Sequence, residues 1–422
     1  MAKIKQIIAR EILNSKGDPT IETSVYLSDG VVGTASCPIG TSVGSYEAAV
    51  LTDRDYSRFQ GLGVLKAVEN VHSQIAPRVI GMDAEKQQEI DKIMIDIDGT
   101  QNKSRLGANA ILSVSMATAK AAANSSVLPL FLYLRQFIEK GSSTGTGLKI
   151  PTPLFNLING GLHAKGILAF QEFLVIPASS KTYTESLKIG VMLYKSLQKL
   201  LDSMELSTLV GDEGGFSPKL KNNADVFPIL TRAIENTSAR FDLDVFFGLD
   251  CAASNFFNDK RYSIKDVASS LSSIDLMSYY ETLNKNQHLL YIEDPFAQDD
   301  WDSWSQFASK MAQTTIIAGD DLTTTNPYRL QMALNKKTIT AIVIKPNQIG
   351  TVIETLAVVE IARQAGLKII VSHRSGETND DFIADFAVAV SADYVKFGAP
   401  VRGERVAKYN RLLQIENQIK AL

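Results

Sequence analysis

The chain of 422 residues is 45% hydrophobic with a formal charge of −3, enough apolar material for a large core and two or three domains. It lacks the basic excess that electrostatic binding to nucleic acid or anionic membranes requires. Its two cysteines, Cys37 and Cys251, are too few for a disulfide framework and suit a reducing cytoplasm. No apolar stretch reaches the roughly 20 residues of a membrane span. The opening MAKIKQIIAREIL lacks an apolar signal core with a small-residue cleavage site. A soluble intracellular protein is expected.

Residues 3–13 and 21–27 alternate apolar and polar side chains, and Ser28-Asp29-Gly30 is a hairpin-type turn before a third run at 31–37. Helical periodicity follows at 62–75 and 83–95, and the Ala- and Met-rich run 108–123 has the composition of a buried helix. The segment 141–147, GSSTGTG, is linker-like. After it, from Pro151 and Pro153 onward, strand and helix patterns alternate to the end. This order predicts a small α+β domain over residues 1–140 and a βα barrel over 141–422.

Six apolar runs in the second half each end in an ionisable residue: Asp250, Glu293 (followed by Asp294), Asp320 (followed by Asp321), Lys345, His373 (followed by Arg374) and Lys396. Short β-branched runs separated by helix-sized stretches are the pattern of βα units and a parallel sheet. The C-terminal strand ends are where such a barrel gathers its active site.

Adjacent strands lie about 4.8 Å apart, so Asp250, Glu293 and Asp320 are placed to converge on one hard cation. An all-oxygen set favours Mg²⁺ or Mn²⁺ over zinc, although a lone acid after a strand is commonly a helix N-cap. Lys345 and Lys396 follow apolar runs that would bury their stems. Desolvation near cations would lower their basicity and suit a base, whereas a structural ion pair with the acids is the alternative. His373-Arg374-Ser375-Gly376 places an imidazole, a guanidinium, a hydroxyl and backbone N–H groups in succession, the donors a phosphate or carboxylate needs. Gly211-Asp212-Glu213-Gly214-Gly215 sets two acids between glycines that permit close backbone approach. Gln171-Glu172 lies within the apolar run LAFQEFLVI, so Glu172 is expected to be buried and either paired or shifted up in pKa. His163 sits in a glycine-containing loop, while His72 and His288 read as surface residues. Together these groups suit metal-assisted proton abstraction next to a carboxylate, a carbon acid too weak for any side chain unless cations stabilise the enolate-like product.

The segments NSKGDPTIE, GANAILSVS, PTPLFNLINGG, QEFLVIP, VGDEGGFSP, GLDCAAS, YIEDPFAQDDW, DDLTTTN, KPNQIGT, VSHRSGET and VKFGAP carry a resemblance that runs over essentially the whole chain. The chain resembles the enolases, the Mg²⁺-dependent hydro-lyases of glycolysis that convert 2-phospho-D-glycerate reversibly to phosphoenolpyruvate. The resemblance implies an α+β domain on a barrel with a ββαα start. Asp250, Glu293 and Asp320 would be the ligands of a tightly held Mg²⁺ that grips the substrate carboxylate. Lys345 would be the base at C2, and Glu213, with Glu172 beside it, the acid that assists departure of the C3 hydroxyl. Lys396, His163 and Gln171 would contact substrate, and His373, Arg374 and Ser375 would hold its phosphate. A cytoplasmic homodimer or homo-octamer is implied, with a small phosphorylated substrate and no nucleic-acid or membrane partner.

Two loops depart from the family pattern. Where it reads Pro-Ser-Gly-Ala-Ser-Thr-Gly, this chain has Pro38-Ile39-Gly40-Thr41-Ser42-Val43-Gly44. The family serine at the position of Ile39 chelates a second Mg²⁺ through its hydroxyl and carbonyl. Ile39 keeps only the carbonyl, so a second site would be weakened, while Ser42 is retained but is not a ligand position. In the other loop Leu162 precedes the histidine in place of serine, and Lys165-Gly166 also differs. Three readings follow: an enolase with a weaker second metal site, a related enzyme acting on another phosphorylated hydroxy-acid, or a non-catalytic binding protein on the same fold.

Overall fold

In the computed structural model, the described residues are 2–41, 44–138, 147–164 and 168–421. The expected domain boundary at 140 and all of the 141–147 segment except Gly147 lie outside them, as do Ser42, Val43 and Lys165-Gly166.

The amino-terminal part is an antiparallel sheet of Ile4–Leu13, Pro19–Leu27 and Val32–Ser36, with the second strand central. Period-2 alternation buries one face, and the helix Ala108–Ser125 packs on it through small residues. The approach is close: a Cβ on Gly33 would lie 2.2 Å from the Ala121 amide nitrogen.

The helix expected over 62–75 is broken into Leu65–Asn70, a single π turn over Val71–Ile75 and a short turn Ala76–Val79. Pro77 lies in that last turn and has no N–H to continue the ladder, so the backbone widens ahead of it. The next helix begins later than its periodicity suggests, at Gln87, and ends at Gly99, whose φ of 64° is the left-handed cap glycine provides. Asp83 instead bridges back to Lys3.

The larger part is a nine-stranded sheet in which Thr152–Pro153 and Phe155–Asn159, the two ends of the strand order, are successive pieces of one run. Thr152–Pro153 pairs with Tyr394–Lys396, and Phe155–Asn159 pairs with Glu172–Pro177. The sheet therefore closes on itself as a barrel. Glu172–Pro177 is antiparallel to both neighbours, and two helices, Tyr183–Ser203 and Val226–Glu235, precede the next strand, Val245–Asp250. That is the ββαα start. From there strands and helices alternate in parallel to the final helix Gly403–Ala421. Leu154, Leu174, Ile176, Tyr291, Ile316, Ala318, Ala341, Val343, Ile370 and Tyr394 fill the barrel interior, and alternate residues of the same strands face the helices. Among the described residues no helix is long and apolar enough to cross a membrane. Cys37 and Cys251 are free and buried.

Candidate active site

Asp250 and Glu293 are the last residues of their strands, Asp320 follows Ile316–Gly319, Lys345 follows Ala341–Ile344, His373 follows Lys368–Ser372, and Lys396 ends Tyr394–Lys396. All therefore stand at one rim. Glu172 joins them from the start of its strand, because that strand runs the other way and its first residue pairs with Asp250. Gln171 directly precedes it, and His163 arrives on the short turn Gly161–Ala164 that follows Phe155–Asn159.

Glu213 comes from the loop 211–215. A Cβ on Gly211 would lie 2.6 Å from the His163 carbonyl, and one on Gly215 would lie 2.6 Å from Asn159 Oδ1. Only glycines let this loop descend onto the rim. Asp212 is instead partly exposed and pairs with Lys16 at 3.0 Å.

Gly40, His163, Gln171, Glu172, Glu213, Lys345, His373, Arg374, Ser375 and Lys396 line one small cavity. The Lys396 ammonium is its electrostatic centre. It donates to Asp250 Oδ2 and Glu293 Oε1, each at 2.8 Å, and stands 3.4 Å from Glu172 Oε1. Burial alone would lower its pKa, but Asp250, Glu172 and Glu293 raise it well above the usual lysine value. Lys345 donates to Asp320 Oδ2. The ion pair with an acid, one of the two expectations for Lys345, is formed. Burial pushes Lys345 down most strongly, but the surrounding acids, Asp320 first and then Glu293, together leave its pKa raised in the absence of a metal ion.

Asp250, Glu293 and Asp320 are buried at the same rim, but lysines stand between their oxygens. The described groups whose ligand atoms lie within 4.8 Å of one another are His163, Glu172 and Glu213, and separately Asp294, Asp320 and Asp321. Tyr291 also holds Glu293, donating to Oε2 at 2.6 Å. Burial, then the charge of Asp250, pushes the Glu293 carboxyl up to about 8. Asp294 accepts the backbone amides of Asp320 and Asp321 at 3.0 and 2.7 Å, and Gln348 Nε2 donates to Asp320 Oδ1 at 2.9 Å.

Glu172 and Glu213 behave as an unequal pair. Burial, reinforced by the charge of Glu213, raises Glu172 well above the carboxylate range. Burial would raise Glu213 too, but His163, His373 and Arg405 hold it well below. The two carboxyls are thus shifted in opposite directions, a division suited to acid–base work. Asn156 donates to Glu213 Oε2 at 3.1 Å, and His163 Nδ1 lies 3.6 Å from its other oxygen. Burial depresses the pKa of His163.

At the third side, Arg374 meets Glu47 through two nitrogens, and Ser375 Oγ accepts the Thr41 amide at 2.7 Å. Ile39 pairs with Gly376 through both backbone groups: its N–H donates to the Gly376 carbonyl and its carbonyl accepts the Gly376 N–H, each at 2.9 Å. Leu162 is half exposed on the other loop. His72 and His288 are exposed and remote from the rim, as their sequence context suggested.

Sequence reading missed Glu47, Arg405, Gln348 and Tyr291. Glu47 and Arg405 sit in ordinary polar stretches, and nothing local marks them. The only signal for Gln348 was its place in KPNQIGT, three residues after Lys345.

Comparison with known proteins agrees with this geometry. Residues 4–134 match the family model "Enolase, N-terminal domain", and residues 147–421 match "Enolase, C-terminal TIM barrel domain". A curated relative named Enolase, from Bdellovibrio bacteriovorus, is 46% identical over 419 residues, covering 99% of this chain and 97% of that protein. On its barrel, its rim of acids and lysines and these matches over nearly its full length, the chain belongs to the enolase family of lyases, the phosphopyruvate hydratases.

Proposed function

We propose that this protein dehydrates 2-phospho-D-glycerate reversibly to phosphoenolpyruvate with Mg²⁺ as cofactor. The observation that carries the reading is one small cavity shared by a lysine, an unequal glutamate pair and an arginine–serine pair. Lys345 takes the C2 proton. Glu213 and Glu172 pass a proton to the departing C3 hydroxyl. Arg374 and Ser375 hold the phosphate, His373 stands beside Glu213 at the same wall, and Lys396, His163 and Gln171 orient the remaining oxygens.

The donor set fits Mg²⁺. Asp250, Glu293 and Asp320 offer hard oxygens, and burial together with the charge of Asp250 pushes Glu293 up to about 8, a penalty that a cation beside these oxygens would relieve. These three residues would hold the ion, which supplies Lewis-acid stabilisation of the charge developing on the substrate carboxylate. A second ion has poorer prospects. The Ile39 side chain has no ligand atom, and its carbonyl already accepts an N–H. An unusually high Mg²⁺ requirement follows.

The test is phosphoenolpyruvate formation followed by ultraviolet absorbance across a Mg²⁺ series. Turnover that keeps rising at high Mg²⁺ is expected, and no turnover at saturating Mg²⁺ would overturn the reading. A cytoplasmic homodimer or homo-octamer is part of the same proposal. It is supported by the free buried cysteines and by the exposed apolar side chains Ile8, Leu13, Phe59 and Leu62 of the amino-terminal domain. Sedimentation reads the oligomeric state.

A further inference from the structure

Arg405, near the start of the final helix, is completely buried; its two terminal nitrogens are engaged, while Nε makes no hydrogen bond and lies 3.6 Å from Glu404 Oε1. Nη1 lies 2.9 Å from His373 Nδ1 and donates to the Arg374 carbonyl at 2.6 Å. Nη2 donates to the carbonyls of Ser375 at 2.6 Å and Asp212 at 3.3 Å. One guanidinium therefore ties the loop after His373 to the loop that carries Glu213.

The contact with His373 has a chemical consequence. A guanidinium has donors and no acceptor, so the nitrogen facing it must present a lone pair. His373 Nδ1 therefore carries no proton. A neutral imidazole has one N–H, and the remaining place for it is Nε2, which stands 3.2 Å from Glu213 Oε1 but makes no hydrogen bond. The ring is buried, and a Cβ on Gly398 would lie 3.0 Å from its Cε1, so the fold encloses it in this orientation.

We propose that Arg405 is a positioning residue that locks His373 as its Nε2–H tautomer and so keeps its one N–H at the cavity wall, on the side where Glu213 lies. His373 is then a fixed neutral donor at the cavity wall and not a proton carrier. Protonating it would set an Nδ1–H against the guanidinium N–H groups. Burial, which pushes the imidazole down to about 4, acts in the same direction. The charged groups facing His373 are Glu213 from the 211–215 loop, Arg405 from the final helix and Glu377 from its own loop. The tautomer assignment stands on these contacts alone. Its effect on turnover rests on the function proposed above.

The experiment uses the full-length protein with ¹⁵N-ring-labelled histidine and long-range ¹⁵N–¹H correlation. The chain has only 4 histidines, and His373→Gln identifies the relevant set. In the unaltered protein, His373 is expected to show the Nε2–H pattern, unchanged from about pH 8 to about pH 5, across the range where an ordinary imidazole titrates. Arg405→Lys, which keeps a donor, retains the pattern, while Arg405→Met admits the Nδ1–H form. Arg405→Met is also expected to lower kcat by roughly tenfold or more, with a smaller change in KM. An Nδ1–H or imidazolium pattern in the unaltered protein at neutral pH overturns the proposal, as does an unchanged pattern in folded Arg405→Met. If Arg405→Met does not fold, the unaltered protein and Arg405→Lys still decide it. A protein that shows the Nε2–H pattern but no turnover would count against the proposed function and leave this assignment standing.

Discussion

The Glu47 carboxylate grips the Arg374 guanidinium at two points, Oε2 to Nη1 at 2.8 Å and Oε1 to Nη2 at 3.1 Å, with both side chains only 4% exposed. Glu47 also accepts the Gly44 amide at 2.9 Å, so it ties the end of the 38–44 loop to the arginine proposed to bind phosphate. A phosphate entering the cavity meets a guanidinium already engaged by a carboxylate.

Removing that carboxylate's charge leaves a buried arginine without its main counter-ion. Glu47→Gln is expected to destabilise the protein by about 3–5 kcal/mol, the scale for breaking a buried pair. Added inorganic phosphate or sulfate should restore more stability in the variant than in the parent. Denaturant titration with and without the anion measures both, and an equal anion response in the two proteins would refute the competition.

Ile39 is the point at which chemistry and loop geometry disagree with the rest of the site. Ile39→Ser adds a hydroxyl beside Gly40 without disturbing the backbone pair with Gly376. The Mg²⁺ concentration for half-maximal turnover should fall on the order of tenfold, the equivalent of one charge-assisted ligand contact. An unchanged Mg²⁺ dependence would show that this residue does not limit the second site.

Lys396 neutralises three acids drawn from three strands. Lys396→Met leaves Glu172, Asp250 and Glu293 buried together without their cation, and a loss of about 3–5 kcal/mol is expected. Mg²⁺ should recover part of it, raising the melting temperature of the variant more than that of the parent. A variant as stable as the parent without Mg²⁺ would remove Lys396 from its central place.

Glu377 gives the acid side of the stability profile. Burial would raise its pKa, but Lys408, 2.9 Å from Oε2, and Arg405 hold it below the ordinary value of 4.5. A depressed carboxylate contributes stability that is fully present above its unfolded pKa and is lost as pH falls through 4.5 toward the lower folded value. Glu377→Gln should therefore melt lower at pH 7 and lose less of its remaining stability between about pH 5 and pH 3. Melting curves across that range check the sign, and a variant whose acid sensitivity matches the parent would contradict it.

Much of this protein could be read along the chain because the signals are local. Periodicity of two or 3.6 reports which face of an element is buried, and a charge at the end of an apolar run is a charge at a strand end whatever the strand pairs with. The barrel, its rim of Asp250, Glu293, Asp320, Lys345, His373 and Lys396, and the family motifs all followed from that. The direction of Glu172–Pro177 did not, since alternation looks the same for a strand running either way, and that direction is what brings Glu172 to the rim. The pairings also had to wait for the fold. Lys396 meets Asp250 146 residues away, and Arg374 meets Glu47 327 residues away. Electrostatic energy depends on distance in space and on the water excluded between charges, neither of which is a property of neighbouring residues in the chain. Local chemistry therefore left Lys345 with two roles, a base beside cations or the partner of an acid, and only the folded rim could show that Asp320 is the acid set against it.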